Sequence, residues 1–475
     1  MNLFPLPRRG GPYNWPYLKF RVFPTLKNST PNYISLVIFG FTLFAFSGAG
    51  EAGFASRFSL SLGEEYNDNI FFSKNKEHDF VTTITPTLTF LYAPAGQTAP
   101  TFNLSISPSA HLFARHSEHN SFGDTQSVNG AYSYPYSPRL NFYVSDTLQR
   151  LGDTRVGGFD GDGNQLRSTP TSPPAVGPPA PHLSSQNLKD FISRGDQITN
   201  YFSAQGSFLY RPDVSFTGGY TNTYTSFIDA GGSDSFHTLS FRGIYNWRQE
   251  HNPYAGYSLS FGKFRDGDNS VVHSFDFGDD YFSNYQIRLS PTLTLAASTG
   301  ISFNAGSDGP RIANNTSITV TKIWETATLT GGVRKGLTPS FGVSGISDTI
   351  SLFTNFNTQI YQKLTGNAGV DFSLYDTKDV NFKTFTGSMG LQYLITSWLS
   401  SGLVYRYRWI DSGAGASSST LLDHGKINSN SAALFVTAHF DIWPNIGLAR
   451  TMIAPSLTPL IRTPFPPTAT PVTTP

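Results

Sequence analysis

The chain has 475 residues, a formal net charge of +1 and no cysteine, and 14% of its residues are charged against 15% aromatic. The cysteine count excludes a disulfide framework, a thiolate metal site and a catalytic thiol, and the near-zero net charge gives no ground for a nucleic-acid partner. A soluble protein carries about 25% charged residues, so this shortage, beside so many aromatic residues, suits a structure with a wide apolar exterior.

The first 32 residues hold Arg8, Arg9, Lys19, Arg21 and Lys27 and no acid. The apolar run YISLVIFGFTLFAF follows, then the small-residue stretch SGAGEAGFA. A basic flank, a short apolar core and a small-residue exit make a secretory signal peptide. Ile34–Phe46 is 13 residues long, short of the ~20 that a membrane-spanning helix needs. Residues 1–52 are therefore expected to be a cleaved leader, with the cut after Ala52 or Ala55; an uncleaved anchor is the alternative.

From residue 53 to 443 the apolar pattern has period two. In SGLVYRYRWI, Leu403, Tyr405, Tyr407 and Trp409 share one face, and Val404, Arg406, Arg408 and Ile410 share the other. In NAGVDFSLY, Ala368, Val370, Phe372 and Leu374 oppose Asn367, Asp371 and Ser373. A soluble sandwich would bury the apolar face against a second sheet, whereas a membrane barrel turns it to lipid and keeps a polar interior. Many runs last 10 residues or more, near the about 9–11 of a tilted membrane strand and above the about 5–6 of a soluble one. Aromatic residues crowd the run ends, as at Tyr134, Tyr136, Tyr210, Trp247, Tyr281, Tyr285, Trp324, Tyr361, Trp398 and Trp443, where a membrane interface would place them.

Eighteen such runs fall between 54–64 and 428–442. The connections after even-numbered runs are mostly short: YSPR, YRPD, RQEHNP, FSN, KIWE, YQK and ITSW. Those after odd-numbered runs tend to be longer: 65–79, 150–198, 303–313, 336–347 and 411–427. Short periplasmic turns and long outer loops are the asymmetry of an outer-membrane barrel, and an even count places both termini in the periplasm. The expected fold is thus all-β: a transmembrane antiparallel up-and-down β-barrel of about 18 strands, 16–18 at the limits, which encloses an aqueous lumen.

Two segments do not fit a barrel wall. Residues 150–198 are rich in proline and glycine and cannot pair in a sheet; a constriction loop and a mobile surface loop are both open. Residues 444–475 form a Pro/Thr-rich tail without sheet character.

The stretch SLSLGEEYNDNIFFS, followed after a polar loop by DFVTTITPTLTF, resembles the opening of the β-barrel porin 2 family and of the outer-membrane barrels of exopolysaccharide systems. Glu65, Tyr66, Asn67, Asp68, Asn69 and Pro86 carry the resemblance, which covers roughly residues 58–92. It implies a Gram-negative outer-membrane barrel, and more loosely solute passage or polysaccharide export. The expected function is a porin-like channel; the alternative is a non-conducting structural or adhesive barrel acting through its long loop and tail. Outer-membrane lipid, lipopolysaccharide and the barrel-assembly machinery are the partners this class implies, with a polysaccharide or small solute as cargo.

Glu64, Glu65, Asp68 and Asn69 offer oxygen ligands to a cation such as Ca²⁺, but their spacing is not that of an EF-hand. The sequence has no G-x-S-x-G and no H-E-x-x-H, so neither an enzyme nor a cofactor is expected. Inward positions are expected to include Arg57, Arg115, Arg242, Arg288, Arg334, Asp371, Arg406, Arg408 and Asp441. Their surplus of arginine suits a mild anion preference, while Arg–Asp ladders that brace the wall and cancel are equally open. Inward Phe113, Tyr143 and Phe264 could stack on sugar rings or fill space.

Overall fold

The computed structural model describes residues 54–92, 100–152, 196–228, 231–245, 253–265, 267–279, 292–306, 309–339, 345–377, 381–412 and 425–446. The expected leader, most of the 150–198 insertion and nearly all of the tail lie outside them. Eighteen strands follow one another: β1 Phe54–Asn67, β2 Asp79–Tyr92, β3 Thr101–Phe113, β4 Ser121–Ser137, β5 Leu140–Leu151, β6 Gln197–Arg211, β7 Val214–Phe227, β8 Ser233–Tyr245 and β9 Pro253–Lys263. The second half holds β10 Asn269–Asp279, β11 Leu293–Gly306, β12 Gly309–Ile323, β13 Ala327–Pro339, β14 Ile346–Tyr361, β15 Leu364–Asp376, β16 Asn381–Leu394, β17 Leu399–Ser412 and β18 Gly425–Ile446.

Each strand pairs antiparallel with its neighbours in the chain, and β1 pairs with β18, so the sheet closes on itself. For 18 strands spaced about 4.8 Å apart and tilted about 40°, the backbone radius is about 18 Å, far too wide for side chains alone to fill.

The alternation seen in the sequence sorts the two faces. On β17, Leu403 and Tyr405 are exposed outward, while Arg408, Ile410 and Ser412 are buried inside. On β18, Leu434, Val436, Phe440 and Ile442 point out, and Ala433, Phe435 and Thr437 point in. Exposed Tyr134, Tyr136, Tyr210, Trp324, Tyr361 and Trp398 gather at the end that carries the two-residue turns 138–139, 212–213 and 362–363. Trp398 packs on Phe440 and Phe440 on Phe58, so the aromatic edge continues across the closing seam. Trp247, Tyr281 and Tyr285 lie outside the described residues.

Inside, hydroxyl groups from adjacent strands bond one another: Ser61 with Thr437 (3.0 Å), Thr85 with Ser109 (2.9 Å), Thr87 with Ser107 (2.9 Å), Thr238 with Ser260 (2.9 Å) and Ser373 with Ser351 (3.0 Å). Such pairs stitch an inner wall that needs few charges, which is one physical reason the chain carries so few.

The expected FSN turn lies outside the described residues, which stop at Asp279 and resume at Thr292. One expected connection differs. The supposed loop 303–313 is almost all strand: Ala305 pairs with Pro310 and Gly306 with Gly309, where Gly309 has a φ of 85°. A left-handed glycine lets the chain reverse in two residues.

Candidate functional site: the lumen and its mouth

The inner wall carries braced charge. Arg242 on β8, Gly256 on β9 and Asp276 on β10 lie in one cross-strand row. Arg242 Nη2 reaches Asp276 Oδ2 at 2.8 Å, spanning the strand between them, and its guanidinium lies 3.9 Å from the centre of the Tyr254 ring. A Cβ on residue 256 would collide with the Asp276 carboxylate, so glycine is what lets the pair cross the strand. Arg57 and Asp441 form a second pair at 3.1 Å across the β1–β18 seam, near the end with the short turns.

Strands β13 to β17 carry a further group. Arg334 faces inward, with its guanidinium 4.3 Å from the centre of the Phe353 ring. Asp371, which accepts from the Ser373 hydroxyl at 3.0 Å, and Arg406 and Arg408 face the same lumen. Asn355, Asn357 and Asn367 are exposed on the inner faces of β14 and β15.

Arg115 is not part of this wall. Strand β3 ends at Phe113, whose N–H donates to Asn120 Oδ1, and the Arg115 N–H turns back to the Asp79 carboxylate (3.0 Å). The Arg115 side chain is thereby placed at the outer rim beside His78. Arg288 lies outside the described residues. Phe113 and Phe264 are 4% and 1% exposed, which leaves them no face for a sugar ring; both pack against elements folded in from the rim.

The first of these elements is the β1–β2 loop, residues 68–78. Ile70 packs on the inward Val81 and Phe113, with Phe71 against the same cluster. Phe72, 2% exposed, lies under the Arg408 guanidinium at 5.4 Å. The loop therefore turns into the mouth. Phe72 has a φ of 48°, the one non-glycine residue with positive φ among those described; such a conformation costs about 1–3 kcal/mol and persists where the surroundings hold it.

What holds it is the Asn-Asp-Asn run. Asn67 Oδ1 accepts from the Asn69 N–H and the Ser429 hydroxyl, each at 2.9 Å. Asp68 accepts from the Asn430 N–H (2.6 Å), Asn430 Nδ2 (2.9 Å) and Lys76 (2.9 Å). Asn69 Nδ2 donates to the carbonyls of Ser73 (2.7 Å) and Asn428 (2.9 Å), and its Oδ1 accepts from the Ser73 N–H (2.9 Å). Burial alone would raise the Asp68 pKa, but the hydrogen bonds from Asn430 and Lys76 outweigh it and hold the carboxyl below its usual range.

These contacts account for the residues that looked like cation ligands. Glu64 points out of the barrel and accepts from the Thr82 hydroxyl at 2.7 Å, while Glu65 points in and is buried. Successive strand residues face opposite sides, so the two glutamates and the loop pair Asp68 and Asn69 do not converge. Among the described residues no three acidic or histidine side chains come together as a metal group.

The second element is the tip of the β13–β14 hairpin. Pairing of β12 with β13 stops at Thr316 opposite Lys335, yet β13 and β14 stay paired to Pro339 opposite Ile346. The tip leaves the wall, and Leu337 and Ile346 join Phe236, Phe264, Val272 and Ala313 in one buried cluster. Phe236, Val272 and Ala313 are inward residues of β8, β10 and β12, so the tip folds across the inside of that sector. In a ring of 18 strands, β2 and β10 are eight apart, so the two elements narrow the mouth from nearly opposite sides. Sequence periodicity did not reveal either one. The available signal was apolar residues where a loop should be polar: Ile70, Phe71 and Phe72, and Ile346.

A closed antiparallel wall with an apolar, aromatic-edged exterior and a polar interior defines a β-barrel of the bacterial outer membrane. No family model matches the chain, and no curated protein matches it. Solved structures that resemble it include OccK2 (OpdF) of Pseudomonas aeruginosa, with 11% identity, 82% of this chain and 98% of that one covered, and a TM-score of 0.42. The outer membrane protein OpdK of the same organism shows 13% identity over 82% and 99%, with a TM-score of 0.41. The siderophore receptor PirA of Acinetobacter baumannii shows 8% identity over 81% and 80%, with a TM-score of 0.35. Likenesses this distant leave the barrel's own wall and mouth to define what it does.

Proposed function

We propose that the chain is a channel that passes small polar solutes across the outer membrane, with a mild preference for anions. The observation that supports it is the inner wall: 18 strands enclose a lumen about 36 Å across between backbones, lined by hydroxyl, amide and charged side chains. Arg57–Asp441 and Arg242–Asp276 cancel in pairs. On β13 to β17, three arginines, Arg334, Arg406 and Arg408, face the lumen with Asp371, and a lumen with excess positive charge concentrates anions.

Assistance to exopolysaccharide export is the finer form of this proposal, supported by the Glu65–Asn69 and Pro86 motif of the opening strands. Delivery to the membrane by the barrel-assembly machinery follows from the class, and no catalytic step is involved. A non-conducting barrel is the second reading; the two inward-folded elements at the mouth favour it.

Planar-bilayer recordings with a salt gradient test both. The reversal potential should indicate anion preference, and Arg334→Gln with Arg406→Gln should move it toward zero. A folded barrel that never conducts would overturn the channel and leave the second reading.

A further inference from the structure

The outer rim gathers an unusual number of titratable side chains on two short loops. The β3–β4 loop, residues 114–120 with one 3-10 turn at Ser117–His119, brings His116 between two carboxylates. Its Nδ1 lies 2.9 Å from Asp79 Oδ2 and its Nε2 lies 3.0 Å from Glu77 Oε2. Asp79, the first residue of β2, has a fully buried side chain that also accepts from the N–H groups of Phe80, Arg115 and His116. It is a fixed anchor. Glu77 is different: half exposed, it belongs to the inward-turned β1–β2 loop, and its carbonyl accepts from the Ile70 N–H at 2.9 Å. Phe71 of that loop packs edge-on against His116 (5.7 Å) and His119 (5.0 Å).

We propose that His116 is a proton-operated latch: protonated, it ties the β1–β2 loop to the buried Asp79 anchor; neutral, it lets the Glu77 side of the loop go. The chemistry lies in the imidazole itself. Its cation donates from both nitrogens, so both carboxylates are satisfied. The neutral ring has one N–H. If that N–H stays on Asp79, the other nitrogen turns a lone pair toward the Glu77 carboxylate and the contact becomes repulsive. The hydrogen bond to Asp79, and with it the bond to Glu77, raises the His116 pKa above its usual value against the opposing effect of burial. A raised folded pKa means that the latch is fully set below the ordinary histidine value and is lost as pH rises through the raised one.

Other charged groups nearby are Arg115, Glu118 and His119 on the same loop, and His78, Lys76 and Asp68 on the β1–β2 loop. Arg115 bonds His78, Glu118 lies 4.0 Å from His119, and Lys76 is held by Asp68. None of these stands between His116 and its two carboxylates. The Asn67–Asn69 contacts to β18 are not proton-dependent in this range, so they form the hinge about which the 74–78 half moves.

The latch concerns the mouth of the proposed channel, but its test does not need current to flow. The chain has no cysteine, so Asn75→Cys, at an exposed loop position, takes a single nitroxide label. Spin-label spectra of the full-length barrel in lipid vesicles, from pH 5 to 9, should show an immobile loop at low pH and a mobile one above the His116 transition. In H116Q, which cannot carry the charge, and in E77Q, which removes the released carboxylate, that transition should vanish while the barrel stays folded by its electrophoretic heat shift. A spectrum that does not change with pH, or an identical change in H116Q, overturns the latch. Conductance measured in parallel separates the two proposals: a spectral transition in a barrel without current would remove the channel and keep the latch.

Discussion

Removing the Asn69 side chain should loosen the one seam that closes the barrel. Its amide makes three hydrogen bonds at a fully buried position, two within the 68–78 loop and one to the Asn428 carbonyl on β18. At about 1 kcal/mol net for each, Asn69→Ala should cost about 3 kcal/mol, and it leaves the Ser73 N–H and two carbonyls to find water in a packed site. Asn69→Asp keeps the acceptor for Ser73 but loses both donated bonds, so it should cost most of that amount. The control is Asn75→Ala in the same loop, exposed, which should cost under about 0.5 kcal/mol. Urea unfolding of the barrel in lipid vesicles, followed by tryptophan fluorescence, measures all three. About 3 kcal/mol lowers the folded population ratio roughly 100-fold. A loss for Asn69→Ala no larger than for Asn75→Ala would show that the seam does not depend on this residue.

The Arg242–Asp276 pair, with side chains 13% and 27% exposed, should show a coupling of about 1–2 kcal/mol in a double-mutant cycle of Arg242→Met and Asp276→Asn, less than a fully buried pair because the lumen is wet; additive unfolding free energies would refute it. Asp68 contributes stability that is present above the usual carboxylate pKa and lost as pH falls through its lowered one; acid titration of vesicle-bound wild type against Asp68→Asn should therefore converge only below the usual carboxylate pKa.

Strand number, strand order and the sidedness of the wall were legible because one property, alternation of apolar and polar residues, is repeated in every strand. Arg406 and Arg408 were placed inward for the same reason. Arg115 was misplaced because the alternation in HLFAR runs on past the point where Asn120 and Asp79 capture the backbone. The inward turns were illegible for a different reason. Ile70 is buried by Val81 and Phe113 on the next two strands and Phe72 lies under Arg408 of β17, contacts between strands that the alternation within any one run does not encode. The role of Asn67, Asp68 and Asn69 was hidden by distance in the chain: their side chains are spent on β18, whose residues Asn428–Asn430 lie more than 350 positions away.

That distance has a consequence for assembly. Arg57 and Asp441 are 384 residues apart, so the β1–β18 seam is the pairing with the longest loop to close and the last to zip. A slip of one residue would turn every side chain to the wrong face, which the apolar pattern forbids; a slip of two would keep the faces and so escape that check. Arg57 with Asp441 at one end and Asn67 to Asn69 with Asn428 to Asn430 at the other are matched only in the native register. The seam thus carries a lock at each end against the one error that hydrophobicity alone would let pass.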